Sequence, residues 1–447
     1  MSAAGRETEE LAAADFSHLW HPFTQQREWC SEEPLVIVSG TGALLTDSRG
    51  RSYIDGNSSI WTNIHGHSHP RIIEAVARQL ATLDHTSFLG TTHPAAIRLA
   101  VRLSGLFPGS PLPRVFFSDN GSTAVEAALK MSIQYWQQRG NPLRRRFASF
   151  SNAYHGDTAG ASSLGGIASF FDRFAGMHFP VERFADMEEL CAFSRPQELA
   201  AVVIEPIIQG VAGMQPWPQG MLRELRSYCN RTGTLLILDE VMTAFGRTGT
   251  MFACQREEVV PDLLCCAKGL TGGVLPLAAT LITEEIYSAF LGTHEEQKTF
   301  QYGHSYTANP PACAAALANL SLFEEEKTLE RLQPKIAHLE NRLKSLRSIP
   351  WVAGIRQCGF IAGIEVMKDP RSLTPFPWQH QTGAMICKAA RKHGLLTRPV
   401  RDTLVLMPPL CITTEQIDLA IEALEKAILE VCGQEFVPND QRGTPLT

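Results

Sequence analysis

Five short runs of apolar, β-favouring residues constrain the fold of this chain more than any other feature. A strand whose residues are continuously apolar is buried on both faces, which is typical of a parallel sheet covered by helices. Helical segments separate several of the runs, notably over residues 123–136 and 221–230. The pattern predicts an α/β fold with a mostly parallel sheet, whose strands cover residues 114–118, 147–150, 201–205, 235–239 and 263–267.

Polar residues that could take part in catalysis or binding stand at or just after the carboxyl ends of these runs. They are Ser118, Glu205, Asp239 and Lys268. Ligands of open α/β sheets bind in the crevice outside the carboxyl ends of the strands. The sequence therefore predicts one functional site at this edge.

The two ends of the chain follow a different pattern from its middle. Residues 35–56 predict a meander of short strands, and residues 1–60 as a whole suggest strands and turns. A long helical pattern begins near residue 311 and is followed by a further helix to about Leu346. The αβ tail after it ends in a helix from Thr414. We expect a large domain over residues 66–330 and a smaller α+β domain formed by residues 1–65 and 331–447.

Charge, cysteine usage and the N-terminus limit the class of protein. The 40 basic and 46 acidic residues give a net charge of −6, which disfavours nucleic-acid binding. The 11 cysteines show no C-x-x-C spacing, and those at Cys265 and Cys266 suggest inert core residues. There is no signal-peptide pattern and no run of 18 apolar residues, so we expect a cytoplasmic protein without a membrane partner. The polar, Ala-rich first ~15 residues suggest fraying.

A phosphate-binding turn is predicted where the first strand meets its helix. The segment SDNGST places Gly121 and Ser122 at a helix start, where free N–H groups and the helix dipole favour an anion. An ordinary helix cap at Ser122 or Asn120 would explain the same residues.

Three further side chains are ambiguous when taken singly. Asp239 ends an apolar strand, where structural carboxylates are common. Lys268 follows another apolar run, where a partly desolvated amine could form a Schiff base, although a lone lysine is usually solvated. Tyr154 could stack on a flat cofactor or simply pack at the edge of the core. Together with the phosphate turn, the three predict a pyridoxal 5′-phosphate site, in which Lys268 binds the cofactor and Asp239 keeps its pyridine nitrogen protonated.

The segments LLILDEVMTAFGRTG and PDLLCCAKGLTGG resemble the signature of class III (ω-type) aminotransferases of PLP fold type I. The resemblance runs over nearly the whole chain. Within the family it is greatest to the biotin-biosynthetic branch, which converts 8-amino-7-oxononanoate to 7,8-diaminononanoate. The segments that carry this narrower resemblance are 18–25, 58–70, 118–131, 154–158, 245–254 and 303–316.

The resemblance implies a role for each residue of the cofactor site. Lys268 would bind the cofactor and move the proton, and Asp239 would pair with the pyridine nitrogen. Tyr154 would stack on one face of the ring and Val241 would pack on the other. The residues that would hold the phosphate are Gly121, Ser122 and, from the other subunit of a homodimer, Ser305.

The resemblance also implies a substrate pocket. Arg398 would bind the substrate carboxylate, and Trp61 would form an aromatic wall. Phe23, Ile60 and Gly303 would line the rest of the pocket.

Departures from the family patterns bear on the substrates. The position of the family's switch glutamate holds Val211, which disfavours ornithine- or GABA-type enzymes. S-adenosylmethionine is the branch's conventional amino donor. Phe23, Ile60 and the GHSYT segment differ from the form that uses it and look more like the subgroup that uses lysine. Another class III ω-aminotransferase activity is a further alternative.

Competing interpretations of the sequence have weaker support. His65, His67 and His69 have the spacing of a metal cluster, but no Cys or acidic ligand with metal spacing is nearby, so we expect no metal. A nucleotide-dependent oxidoreductase would need a G-x-G-x-x-G motif after the first strand, which is absent, as is a P-loop. A non-enzymatic α/β binding protein remains a second alternative.

Overall fold

The computed structural model of the protein describes residues 3–433. Its α-helices, α1 to α15 in chain order, span Ala3–His18, Gln26–Trp29, Ser58–Trp61, Pro70–Thr82, Pro94–Ser104, Gly121–Gln138, Ala159–Leu164, Ala168–Phe171, Met187–Ala192, Met221–Thr232, Glu284–Ala289, Pro310–Glu325, Thr328–Leu343, Thr382–Ala390 and Thr414–Cys432. Its strands, β1 to β17, span Ile37–Thr41, Leu44–Asp47, Ser52–Asp55, Arg114–Ser118, Arg146–Phe150, Val181–Phe184, Leu199–Ile204, Ile208–Gln209, Gln215–Pro216, Leu235–Asp239, Leu263–Cys266, Ala278–Ile282, Val352–Cys358, Ile361–Val366, Leu395–Leu396, Pro399–Val400 and Thr403–Leu406.

The central sheet has the strand order β4-β12-β11-β10-β7-β5-β6. Only β12 runs against the others, since it pairs antiparallel with both of its neighbours while the remaining pairs are parallel. Every residue of β7, β10 and β11 is buried. This explains why their sequences are continuously apolar, and the predicted mostly parallel α/β fold is confirmed.

Helices cover both faces of this sheet. α6 packs on one face, where its alanines belong to the same core cluster as β11. α5 and α10 belong to the cluster that forms the other face. Because both faces are covered, ligands can reach the strands only at an edge. The parallel strands β4, β5, β7, β10 and β11 place their carboxyl ends at one edge, where the predicted site residues stand.

The two ends of the chain meet in a smaller sheet of order β1-β2-β3-β15. The meander predicted for residues 35–56 is confirmed as three antiparallel strands. Leu395 of β15 pairs in parallel with Ile54 of β3. The division into domains near residues 65 and 330 stays a prediction.

Two local predictions differ from the structure. Instead of strands and turns, the N-terminal segment forms helix α1, and fraying of its first ~15 residues stays a prediction. Its contacts hold it in place, since the Oγ1 of Thr8 donates to the Oγ of Ser48 at 2.8 Å and the indole of Trp29 donates to Asp15 at 2.7 Å. The two helices expected between residues 311 and 346 are present as α12 and α13, but the break between them falls earlier than predicted, because Lys327 adopts a left-handed φ of 49°.

Two further expectations concern the cysteines, as inert core residues, and the helices, as too short or too polar to span a membrane. All eleven cysteines are free thiols, and Cys265 and Cys266 are fully buried on β11, as expected of core residues. Between residues 3 and 433, no helix combines the length and apolarity needed to span a membrane.

Candidate active site

A cavity of about 660 Å³ opens at the carboxyl edge of the central sheet. It brings together strand ends that are distant in sequence, together with the loop that follows α3. The predicted site residues that line it are Lys268, Asp239, Tyr154, Gly121, Ser122, Val241 and Trp61.

Lys268 stands at the centre of this arrangement, directly after β11. Its backbone has a left-handed φ of 43°, a conformation that costs about 1 kcal/mol or more for a residue with a side chain. Its Nζ lies 5.0 Å from the ring centroid of Trp61. Burial lowers the pKa of Lys268, and the carboxylates of Asp239 and Glu205 only partly oppose this effect. A lysine with a lowered pKa supplies a neutral amine more readily, which is what a nucleophile or general base requires.

Asp239 is buried at the end of β10 and is held by two donors. The Nδ1 of His155 lies 2.8 Å from its Oδ2, and the backbone N–H of Val241 donates to its Oδ1 at 3.0 Å. Burial alone would lower the pKa of His155, but this hydrogen bond and the nearby acidic groups raise it above its ordinary value. No role was predicted for His155 from the sequence, although its place beside Tyr154 at a strand end was a usable signal.

Glu205 is a second buried carboxyl beside this pair, and it also lines the cavity. Its two oxygens accept hydrogen bonds from the backbone N–H groups of Tyr154 at 3.2 Å and Gly210 at 3.0 Å. Burial raises the pKa of Glu205 to about 7, with a further contribution from the charge of Asp239. The carboxyl therefore exchanges a proton near neutral pH, next to the charged groups of the site.

This raised pKa makes the stability of the protein depend on pH. Because the folded-state pKa of Glu205 lies above its ordinary value of 4.5, its stabilising contribution is fully present below pH 4.5 and is lost as the pH rises through about 7. Relative to the variant Glu205→Gln, the free energy of unfolding of the cofactor-free parent should fall by up to about 3 kcal/mol over this range. Urea unfolding of both proteins at pH 5, 6, 7 and 8 measures this difference, and parallel pH profiles would contradict it.

The turn between β4 and α6 forms a cup suited to an anion. Asn120 caps the helix by accepting from the backbone N–H of Thr123 at 3.1 Å, so the alternative of an ordinary cap is correct for this residue. Gly121 and Ser122 still line the cavity. The Oγ of Ser122 accepts from the N–H of Asp157 at 3.2 Å, which leaves its own proton free to donate.

Two glycines keep this cup open. Gly156 has a left-handed φ of 123°, and a Cβ there would lie 2.1 Å from the Oγ of Ser122. A Cβ on Gly121 would lie 2.6 Å from a methyl group of Val241. Side chains at these positions would displace residues of the cavity wall.

Tyr154 and Val241 both border the cavity, and both are half-buried. Its hydroxyl donates to Asp157 at 2.7 Å, which fixes the orientation of the ring. Burial, together with this hydrogen bond to an acidic group, raises the pKa of Tyr154 above its ordinary value. Tyr154 is therefore a neutral phenol at physiological pH.

Five predicted substrate and partner residues are exposed and do not line the cavity of the single chain. Phe23 approaches it indirectly, since its ring lies 6.2 Å from Phe170, which in turn lies 6.3 Å from Tyr154. The roles of this group stay predictions; its members are Phe23, Ile60, Gly303, Ser305 and Arg398.

The three histidines of the IHGHSHP segment have three separate partners. His65 hydrogen-bonds to the carbonyl of Asn319 at 3.2 Å, His67 to Asp55 at 2.8 Å, and His69 lies 3.6 Å from Glu326. Burial lowers the pKa of His65 to about 4. Within residues 3–433, no group of three or more His, Cys, Asp or Glu residues is placed to hold a metal ion.

Comparison with known proteins identifies the family. The sequence model of the family "Aminotransferase class-III" matches residues 26–428. The chain belongs to the class III aminotransferases. An adenosylmethionine-8-amino-7-oxononanoate aminotransferase of Geobacter sulfurreducens is 44% identical over 96% of this chain and 99% of its own length.

Solved structures of aminotransferases have the same fold. The adenosylmethionine-8-amino-7-oxononanoate aminotransferase of Methanocaldococcus jannaschii has a TM-score of 0.93 at 40% identity, and the match covers 95% of this chain and 99% of that one. A PLP-bound amine transaminase from an uncultivated Pseudomonas species has a TM-score of 0.88 at 33% identity, covering 92% and 98% of the two chains. The protein is thus a PLP-dependent aminotransferase of fold type I.

The side chains of the cavity fit pyridoxal 5′-phosphate. The helix start with Gly121 and Ser122 offers donors to a phosphate, and Gly156 leaves room for it. Asp239 provides the carboxylate that a protonated pyridine nitrogen requires, and Lys268 provides the amine. The cofactor predicted from the residues alone is therefore confirmed, while the individual contacts stay predictions.

Proposed function

We propose that this class III aminotransferase transfers an amino group to C7 of 8-amino-7-oxononanoate, giving 7,8-diaminononanoate in biotin biosynthesis, with S-adenosylmethionine as the donor. The observation that carries the proposal is near-full-length similarity to relatives named for this reaction, at up to 46% identity, combined with a cavity that contains Lys268, Asp239 and Trp61.

The wall of the cavity suits a long aliphatic chain. Trp61, Val211 and Met242 all border it, and they belong to one apolar cluster. Val211 stands where a glutamate would serve 2-oxoglutarate-dependent members of the family, so the cavity has no carboxylate there for an arginine to pair with. We assign the substrate carboxylate to Arg398, which precedes β16. Val400 of this strand packs against the same apolar cluster.

Each side chain has a defined task during transfer. Bound PLP withdraws electrons from the substrate Cα and so makes its proton acidic. Lys268, with its lowered pKa, removes that proton from the donor and later returns one to C7 of the product. Asp239 would keep the pyridine nitrogen of bound PLP protonated. His155 holds Asp239 in place through their hydrogen bond. Trp61 limits the access of water on the substrate side.

Lysine as the donor is the specific alternative. Phe23 has no hydroxyl group to offer a polar donor, and Ile60 is smaller than the first of the two tryptophans that follow the SS motif in the S-adenosylmethionine form. Both side chains are exposed, at 68% and 46%, and so are available to a bound molecule.

We further propose a homodimer in which Ser305 reaches the phosphate of the other subunit's cofactor. The neighbouring surface suits a second copy of the chain, because Leu89 and Tyr306 are 88% and 61% exposed. The ring of His85, four residues before Leu89, lies 5.0 Å from that of Tyr306, which brings this segment of the chain beside Tyr306. We place the protein in the cytoplasm, where its eight buried free thiols would remain reduced.

The donor assignment is tested by product formation. The PLP-loaded protein is incubated with 8-amino-7-oxononanoate and either S-adenosylmethionine or lysine, and the diamine is measured by mass spectrometry. We expect diamine with S-adenosylmethionine. If diamine forms with lysine but not with S-adenosylmethionine, lysine replaces S-adenosylmethionine as the donor and the acceptor assignment stands. If diamine forms with neither compound but with another amine, the activity lies elsewhere in class III.

A further inference from the structure

We propose that Asp55 and His67 are positioning residues that hold the turn carrying Trp61 and thereby set the wall of the substrate pocket. The proposal rests on the proposed function for the identity of the substrate, and on the following contacts for the mechanism.

Asp55 is the buried anchor of the turn. It ends β3, is 1% exposed, and directs both carboxylate oxygens into the segment that follows. The backbone N–H of Ser59 lies 2.9 and 2.7 Å from the two oxygens, and that of Asn57 lies 3.2 Å from Oδ1. His67 provides a further donor at 2.8 Å. One carboxylate thus binds two amides of the turn and an imidazole from beyond it.

The backbone of this turn needs such an anchor. Ser58, Ser59 and Trp61 have φ angles of 47°, 61° and 65°, in the left-handed region that residues with a Cβ rarely occupy. Three such residues within four positions form a strained segment that persists only when its surroundings impose it. Besides the bonds to Asp55, the Oγ of Ser58 donates to the carbonyl of Met407 at 2.8 Å.

The strained turn leads directly to the reaction centre. The indole of Trp61 donates to the Oδ1 of Asn57 at 2.9 Å, and its ring faces the Nζ of Lys268 at 5.0 Å. A shift of the Ser59 and Asn57 amides would therefore move the aromatic wall relative to the amine. Exposed Ile60, in the same turn, would move with it.

His67 connects the anchor to a second backbone segment of the cavity wall, at Gly273. Its Nδ1 lies 3.3 Å from the Nδ2 of Asn63, whose Oδ1 accepts from the backbone N–H of Gly66 at 2.8 Å. The backbone of Asn63 packs closely on Gly273, which lines the cavity, since a Cβ on that glycine would lie 2.7 Å from the Asn63 nitrogen. The Asp55–His67 pair thus ties together two backbone segments beside the cavity.

The variants Asp55→Asn, His67→Phe and His67→Gln test the proposal in the PLP-loaded protein. Asp47→Asn is a matched control, because Asp47 is a buried carboxylate on adjacent β2 that accepts backbone N–H groups of Arg49 and Arg51. Three properties are measured for each variant: hydrogen exchange of the peptide spanning residues 57–62, PLP stoichiometry, and the KM and kcat for 8-amino-7-oxononanoate.

We expect Asp55→Asn and His67→Phe to accelerate exchange of this peptide and to lower kcat/KM by roughly 10- to 100-fold, mainly through KM, with unchanged PLP stoichiometry. His67→Gln keeps a donor for Asp55 and should recover much of the loss, whereas Asp47→Asn should change neither readout. Unchanged exchange and kinetics, or equal effects of the Asp47 control, would overturn the proposal. Faster exchange in a protein whose parent makes no diamine would support the positioning role and contradict the proposed function.

Discussion

Replacing Lys268 with alanine should lower the rate of diamine formation by roughly 10³-fold or more, the largest effect of any single substitution in this protein. The variant loses both the amine that binds the cofactor and the base that moves the proton. No other lysine lines the cavity among the described residues, so no neighbouring amine can replace it. The rate is measured with saturating substrates. Borohydride treatment followed by peptide mass analysis shows whether PLP is attached to the chain.

Lys335→Ala is the matched control for this experiment. Burial also lowers the pKa of Lys335, but its Nζ donates to the carbonyl of Leu410 at 2.8 Å, away from the cavity. This variant should keep both PLP attachment and near-parental turnover. Turnover of Lys268→Ala within tenfold of the parent, or attachment of PLP to another lysine of the parent, would contradict the role of Lys268.

Asp239→Asn should cause the second largest loss, with kcat lowered by about 10²- to 10³-fold. An amide cannot stabilise a protonated pyridine nitrogen as a carboxylate does, and the substitution also weakens the hydrogen bond to His155. The single-turnover rate should fall while PLP still attaches to Lys268, because the amine itself is unchanged. Comparison of the two readouts separates impaired chemistry from loss of the cofactor.

Asp262→Asn serves as the control for this loss. Asp262 stands at the amino-terminal end of β11 and accepts from the N–H of Leu236 on β10 at 2.7 Å and from Arg226 at 2.9 Å. Its removal weakens contacts of the same two strands at the opposite edge of the sheet. Equal losses of single-turnover rate in both variants would mean that Asp239 acts only through the stability of the strands.

The parts of the fold fixed by burial were predictable from the sequence. The strands Arg114–Ser118 and Leu235–Asp239 match the predicted bounds. Complete burial of Leu235–Asp239 and partial burial of the apolar residues of Arg114–Ser118 leave short apolar runs in the sequence. Val181–Phe184 was missed because it is a short edge strand in which the charged residues Glu182 and Arg183 interrupt the apolar run. Ala278–Ile282 was missed because it begins with two alanines, which are depleted in strands. Its reversed direction depends on pairing with β4 and β11.

The candidate site was predictable only where strand order determines it. Lys268, Asp239 and Tyr154 converge because parallel strands bring their ends to one edge. The pairing of His155 with Asp239 depends on side-chain orientation across strands and leaves no periodic signal. Ser305 and Arg398 do not line the cavity of the single chain, so their roles stay predictions that rest on the family resemblance.

One measurement tests the central claim independently of the amino donor. The protein is loaded with pyridoxamine 5′-phosphate, mixed with 8-amino-7-oxononanoate without any donor, and quenched after a single turnover. We expect close to one equivalent of 7,8-diaminononanoate per chain, and its loss in Lys268→Ala. Absence of the diamine, with efficient amination of 2-oxoglutarate or pyruvate under the same conditions, would contradict the assignment of 8-amino-7-oxononanoate as the substrate of this site.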